Sequence, residues 1–170
     1  MRQSNALRAA VSLGVGLFIT FSQLHNATIG LLALAIFSLG FAITNSLGSI
    51  VWGKGLVAIE AMPLTVVSLL VGVFALMAMS GESAQTAFIG LVTVWGLFSG
   101  AFELYLARRA SIKSTEGREF LMSAILSATL GLLFLVAPLD IVSAVGFFGA
   151  YLIVSGVQLG VAAATPSSSK

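Results

Sequence analysis

Glu103 is an acidic residue inside the apolar run TVWGLFSGAFELYLARR, five positions ahead of Arg108. At a rise of 1.5 Å per residue, five positions are about 7–8 Å along a helix. The carboxylate is therefore expected to reach the lipid headgroup region or to pair with Arg108. An ionisable group that close to hydrocarbon is also the natural seat of proton or substrate chemistry. Two amides, Asn45 and Gln158, lie in other apolar runs, where amides commonly bind one helix to the next. Glu60 and Glu119 stand at the starts of apolar runs, where the helix dipole favours a carboxylate.

The other residue types narrow the chemistry by exclusion. There is no Cys and a single His, so thiolate chemistry, disulfides, Cys-ligated metals and His-cluster metals are all ruled out. His25 falls in a short polar stretch, where a solvated imidazole outweighs a pH sensor as the expectation. Glu116 and Glu119 are close in sequence but sit on a loop and a helix start, not as a catalytic carboxylate pair. No phosphate-cradling loop and no Ser-His-Asp set are present. The expected protein is not an enzyme and carries neither cofactor nor metal.

Composition says where these residues must be held. A soluble domain carries about 25% charged residues; this chain has 8%, against 58% hydrophobic, and a mean hydropathy of +1.09. It cannot cover its own surface with polar groups, so a bilayer is the expected partner. The pI near 9.4 rests on a net charge of only +2, which calls for no nucleic acid. A spanning helix needs about 17–25 mostly apolar residues, and six segments qualify: Leu7–Ser22, Thr28–Ile50, Pro63–Met79, Thr86–Leu106, Phe120–Ala137 and Ile141–Ala164. Pro63 suits a first helical turn, which makes 55–62 an interfacial lead-in with Trp52 as a belt aromatic. The fold class is all-α integral membrane, a single domain over 1–170, with a disordered tail over 165–170.

Charge then orients the spans. Arg2, Arg8, Lys54, Arg108, Arg109, Lys113, Arg118 and Lys170 all fall on one side of a six-span arrangement. Glu82, Asp140 and His25 fall on the other. Basic residues stay in the cytoplasm, so both termini are expected there. The first span carries no A-x-A-like cleavage site after it, and a cleaved leader is not expected.

A short pattern recurs along the chain. SLGVG at Ser12–Gly16, SLLVG at Ser68–Gly72 and SATLG at Ser127–Gly131 each place a Ser four residues before a Gly, at intervals of 56 and 59 residues. On the return segments Trp95-x-x-x-Ser99-Gly100 matches Tyr151-x-x-x-Ser155-Gly156, and Gly96-x-x-x-Gly100 and Gly156-x-x-x-Gly160 supply the same small-residue chemistry there. Small residues let helix backbones approach in lipid, where apolar side chains gain little by facing one another. The expectation is three parallel-repeated helical hairpins, about 7–50, 56–108 and 118–164, packed through these faces.

The hairpins resemble the HdeD-like family of small bacterial inner-membrane proteins. The likeness is strongest in GLLFLVAPLDIVSAVGFFGAYLIVSGVQLGVAAA, with its Gly-led apolar run, Pro138 at the outer turn and aromatic-x-x-x-small-Gly return. The second copy departs from it at Met79, where the third has Pro138, and the first departs further. The resemblance implies six spans in the bacterial inner membrane and a link to acid or envelope stress, without a catalytic motif. Partners are then lipid, a second copy, or another membrane protein that this one assists. The alternative is a small-solute or proton-coupled transporter or channel built on Glu103.

Overall fold

Backbone groups in hydrocarbon must find their partners within the segment, and a helix does this for every residue but those at its ends. The computed structural model describes residues 2–48, 51 and 62–165 of the chain, and those residues form helices and short turns without a strand. In chain order the helices are α1 (Arg2–Phe21), α2 (Ala27–Leu47), α3 (Met62–Ala78), α4 (Ala84–Arg109), α5 (Thr115–Val136) and α6 (Ile141–Ala164). Five are long and apolar enough to cross a membrane; α3 is equally apolar but has 17 described residues. Trp52, Lys54, Glu60 and the 166–170 tail lie outside the described residues.

The helix ends follow local chemistry. Asn26 Oδ1 accepts from the Ile29 N–H at 2.9 Å, and Ser114 Oγ accepts from the Gly117 N–H at 3.0 Å. Asp140 Oδ1 takes the Val142 and Ser143 N–H groups at 3.0 and 3.1 Å, while its Oδ2 accepts the Ser143 hydroxyl at 2.6 Å. Each side chain satisfies N–H groups that a first helical turn leaves open. The turn from α4 to α5 holds Ser111 at φ 67°, a left-handed conformation costly for any residue with a Cβ. Gly117 is obligatory beside it, because a Cβ there would run into the Ser111 carbonyl oxygen. The two large boundary differences are at α1, which starts at Arg2 and not at Leu7, and at α5, which starts at Thr115 and not at Phe120. Asn5 and Arg8 are helical because they have partners inside the bundle, described below.

Small residues decide which helices pair. A Cβ on Gly100 would sit 2.7 Å from the Ala128 nitrogen, and one on Gly96 would sit 2.8 Å from the Gly131 nitrogen. Gly131 answers from the other side, 2.6 Å from the Leu97 nitrogen. Here α4 and α5 touch backbone to backbone. At the α1–α6 contact Gly16 meets Ile153 and Gly156 meets Leu13, whose backbone nitrogens would lie 3.1 and 3.0 Å from the added Cβ. Gly72 of α3 lies against Leu39 of α2. Gly160 differs: a methyl there would stand 3.9 Å from Ala9, in ordinary contact, so this position forces no close approach.

The most extensive contacts therefore join α4 to α5, α1 to α6, and α2 to α3, while the two helices within each short-turn hairpin touch less. The small faces bind neighbouring hairpins together more than they close any one hairpin. Helices α2, α4 and α6 also contact one another through edge-on rings. Phe37 meets Trp95 at 4.9 Å and Phe148 at 6.0 Å, and Trp95 meets Tyr151 at 5.9 Å. Leu69, Val73, Leu132, Leu135, Val154 and Val161 face outward, as a lipid solvent requires.

Two outcomes follow from this geometry. Gly100→Leu should lower stability in detergent by about 1–3 kcal/mol, the usual cost of overpacking. Gly90→Leu should stay within about 0.5 kcal/mol of wild type, since a Cβ added at Gly90 meets no neighbouring helix within 4 Å. Thermal unfolding of both variants in one detergent checks this. The second outcome concerns Asp140, whose carboxyl is held below its ordinary 3.8 chiefly by the Ser143 hydroxyl and then by the Ser143 N–H. A carboxyl lowered by folding adds stability above its unfolded value and loses it as pH falls through the folded value. The melting temperature of wild type should exceed that of Asp140→Ala at neutral pH, and the gap should close only below pH 3.8.

Candidate functional site

Glu103 lies seven residues after Gly96 and three after Gly100, on the same stripe of α4. The close approach that those glycines permit carries α5 over the carboxylate. Ser127 Oγ donates to Glu103 Oε2 at 3.3 Å. Arg8 of α1 supplies the countercharge, with Nη2 3.2 Å from Glu103 Oε1. The two side chains are only 11% and 5% exposed. The Arg8 guanidinium also stands 4.3 Å over the Phe41 ring of α2, a favourable cation–π position. α1 and α4 make little other contact, so this pair links them across the bundle.

The expected partner, Arg108, is replaced by Arg8. At about 100° per residue, five positions turn Arg108 roughly 140° away from Glu103, and Arg108 is exposed. The headgroup expectation fails for the same reason: Glu103 faces inward and is 4% exposed. Desolvating a carboxylate costs several kcal/mol unless a charge and hydrogen bonds replace the water. Arg8 and Ser127 supply both.

A hydroxyl chain extends from the ion pair. Ser127 has one proton, and with that proton given to Glu103 its 3.0 Å bond to the Tyr151 hydroxyl runs with Tyr151 as donor. The order is Tyr151 to Ser127 to Glu103, across α6, α5 and α4. Toward the opposite end of the network, Ser123 and Glu119 lie one and two turns along α5 from Ser127, on one face. The Gln158 amide nitrogen donates to the Glu119 carbonyl at 3.1 Å and to Ser123 Oγ at 3.4 Å. Asn5 of α1 donates to Glu119 Oε2 at 3.3 Å. Glu119 thus binds α1 to α5 and is not a helix-end group; Ser114 is the N-cap, with Glu116 in the first turn.

Asn45 pairs a different two helices. Its Nδ2 donates to Thr65 Oγ1 at 2.7 Å, joining α2 to α3. The motif serines are all buried: Ser12, Ser68 and Ser127 are 2% exposed or less. Ser68 accepts the Trp95 indole N–H at 3.2 Å, much as Ser127 bonds Tyr151. His25 lies in the turn between α1 and α2, beyond the far end of α1, about 20 Å along that helix from Arg8. Among the described residues no group of three or more His, Cys, Asp or Glu side chains could hold a metal ion.

Sequence reasoning missed Arg8, Asn5 and Tyr151 as members of the site. A signal for Arg8 existed. It stands one turn ahead of Ser12, so the buried stripe that contains the motif serine continues to it. Compared with known proteins, the chain matches no family model, no curated protein and no solved structure.

The pair makes a sharp prediction. Glu103→Gln should cost about 3–5 kcal/mol, because it leaves a buried guanidinium without its countercharge. Replacing both members, Arg8→Met with Glu103→Leu, should recover most of that loss. Detergent melting of the two singles and the double measures the coupling. Equal stability of Glu103→Gln and wild type would show that Arg8 escapes to water.

Proposed function

We propose that this is a non-enzymatic integral membrane protein of the HdeD-like type, resident in the bacterial inner membrane and acting in tolerance of acid or envelope stress. It acts alone, as a second copy's partner, or as an accessory to other membrane proteins. The observation that carries the reading is how the polar groups within the helices are used. Glu103 is matched by Arg8 and Ser127, Asn45 by Thr65, and Gln158 by Glu119 and Ser123. These contacts bind helices to one another, as a scaffold requires, and among the described residues no metal-holding group accompanies them.

Orientation and repetition belong to the same proposal. Arg8 at the start of α1 lies at the same end of the bundle as Arg108, Arg109, Lys113 and Arg118 around the α4–α5 turn, while Glu82 and Asp140 lie in the opposite turns. With basic residues inward, the amino terminus is cytoplasmic. Asp140 then faces the outer side, where its carboxyl, held low by Ser143, keeps the α6 cap charged further into acid than an ordinary carboxylate would. The reading as three repeated hairpins draws support from register. Gly16 meets Ile153 as Gly131 meets Leu97, and Gly156 meets Leu13 as Gly100 meets Ala128.

Two measurements test the proposal. The chain has no Cys, so single cysteines report topology directly. Lys113→Cys should be labelled by an impermeant maleimide only after the cells are opened, and Glu82→Cys in intact cells. Cells lacking the protein should survive a shift to acid less well and be rescued by wild type. Rescue should fail with Glu103→Gln and return with the Arg8→Met, Glu103→Leu double variant. Full survival of the deletion strain in acid and under envelope stress would remove the stress role.

A second reading, a proton-coupled transporter, is favoured by one observation: the Tyr151–Ser127–Glu103 hydroxyl chain ends on an ionisable group inside the bundle. It predicts solute or proton flux in proteoliposomes that Glu103→Gln abolishes. Equal flux in wild type and variant removes Glu103 from the account, and an absence of flux for every candidate solute counts against a transporter.

A further inference from the structure

Two buried polar groups beside the Arg8–Glu103 pair have no hydrogen-bond partner: the Arg8 Nε–H and the Ser99 hydroxyl. Ser99 is 1% exposed. Along α4 it stands one turn after Trp95 and one turn before Glu103, about 40° round the axis from each. Phe41 of α2 spans the same interval. Its ring lies 4.3 Å from the Arg8 guanidinium carbon and 6.1 Å from Trp95. Ser99 is thereby set at the level of that ring, between the indole and the ion pair. A buried donor without a partner costs the free energy of its lost hydration. Two such donors on one ion pair point to a partner that they share.

We propose that one water molecule is bound here, between Arg8 Nε, Ser99 Oγ and Glu103 Oε1. Donor and acceptor counts select it. The Nε–H can only donate, and the Ser99 proton needs an acceptor. Glu103 accepts one bond at Oε1, from Arg8 Nη2, and one at Oε2, from Ser127; each oxygen keeps a further lone pair. A water accepts from the Nε–H and from Ser99 and donates to Oε1, which gives it about the three bonds usual for a buried water. An anion could take both donors but would lie against the Glu103 carboxylate. A cation would meet the Nε–H head on. The bound water also carries the hydroxyl chain past Glu103, so that exchangeable protons run from Tyr151 through Ser127, Glu103 and the water to Ser99. Such a water serves the ion pair in a scaffold and in a transporter alike.

The test is X-ray hydroxyl-radical labelling of the full chain in phosphatidylcholine nanodiscs, read by mass spectrometry, because radiolysis of a bound water oxidises the side chains that touch it. Phe41 and Phe88 are both buried, at 4% and 0% exposed, and Phe88 lies about 22 Å along α4 from Glu103. Phe41 should be oxidised while Phe88 stays unlabelled. Ser99→Ala should abolish the Phe41 label, and Ser123→Ala, a buried serine of α5 bonded to Gln158, should leave it near wild type. Ser99→Ala should also lower the melting temperature by about 2–4 °C, the effect of one net hydrogen bond in a chain of this size. Three outcomes would overturn the site: Phe41 as inert as Phe88, a Phe41 label that survives Ser99→Ala or is lost equally in Ser123→Ala, or an unchanged or higher melting temperature for Ser99→Ala. The first would mean a dry ion pair, the second water entering from the surface, and the third a Ser99 hydroxyl that binds nothing.

Discussion

Helices in hydrocarbon gain little by hiding apolar side chains from one another, so their association depends on where backbones can touch. In this protein that constraint is met most closely at one crossing. Gly96 and Gly100 of α4 meet the backbone of Ser127, Ala128 and Gly131 of α5 directly. The α1–α6 and α2–α3 contacts use Gly16, Gly156 and Gly72 in the same way, with a leucine or isoleucine filling the gap. Three close contacts leave α2, α4 and α6 in the middle, where Phe37, Trp95, Phe148 and Tyr151 pack edge to face.

The polar network depends on that crossing. Ser127 reaches Glu103 because α5 lies against the glycine stripe of α4, and the same serine reaches Tyr151 because α6 lies on the other side. Arg8 closes the site from α1, with Phe41 of α2 beneath its guanidinium. Five of the six described helices therefore contribute to one buried charge pair. A helix displaced from its place would leave Arg8 or Glu103 unmatched in a medium that gives unmatched charge no solvation. The pair thus rewards a single arrangement of helices more than it adds to the strength of any one contact.

The same residues give the protein two different ends. One end carries Arg8, Arg108, Arg109, Lys113 and Arg118, with Asn5, Glu119 and Gln158 tying α1, α5 and α6 just inside it. The other has short turns capped by Asn26 and Asp140 and holds little charge. This asymmetry is what a protein needs to sit one way in a membrane with unlike faces.

Much of this was readable from residue order. Six apolar segments, with α6 read to the residue, followed from hydropathy and turn chemistry, because hydrocarbon leaves a single chain few options besides a helix. The Ser-x-x-x-Gly spacing identified the packing stripes, because the period of a helix places residues four apart on one face. Sequence could not say which stripe meets which: the small faces pair neighbouring hairpins more than they close one hairpin, and only the three-dimensional contacts distinguish these. Nor could it give Glu103 its partner. Arg108 was near in sequence but turned away around the helix, whereas Arg8, 95 residues distant, was brought to 3.2 Å. Solvent chemistry acts on each segment separately and can be read locally, while the pairing of charges depends on the placement of helices that are far apart in the chain.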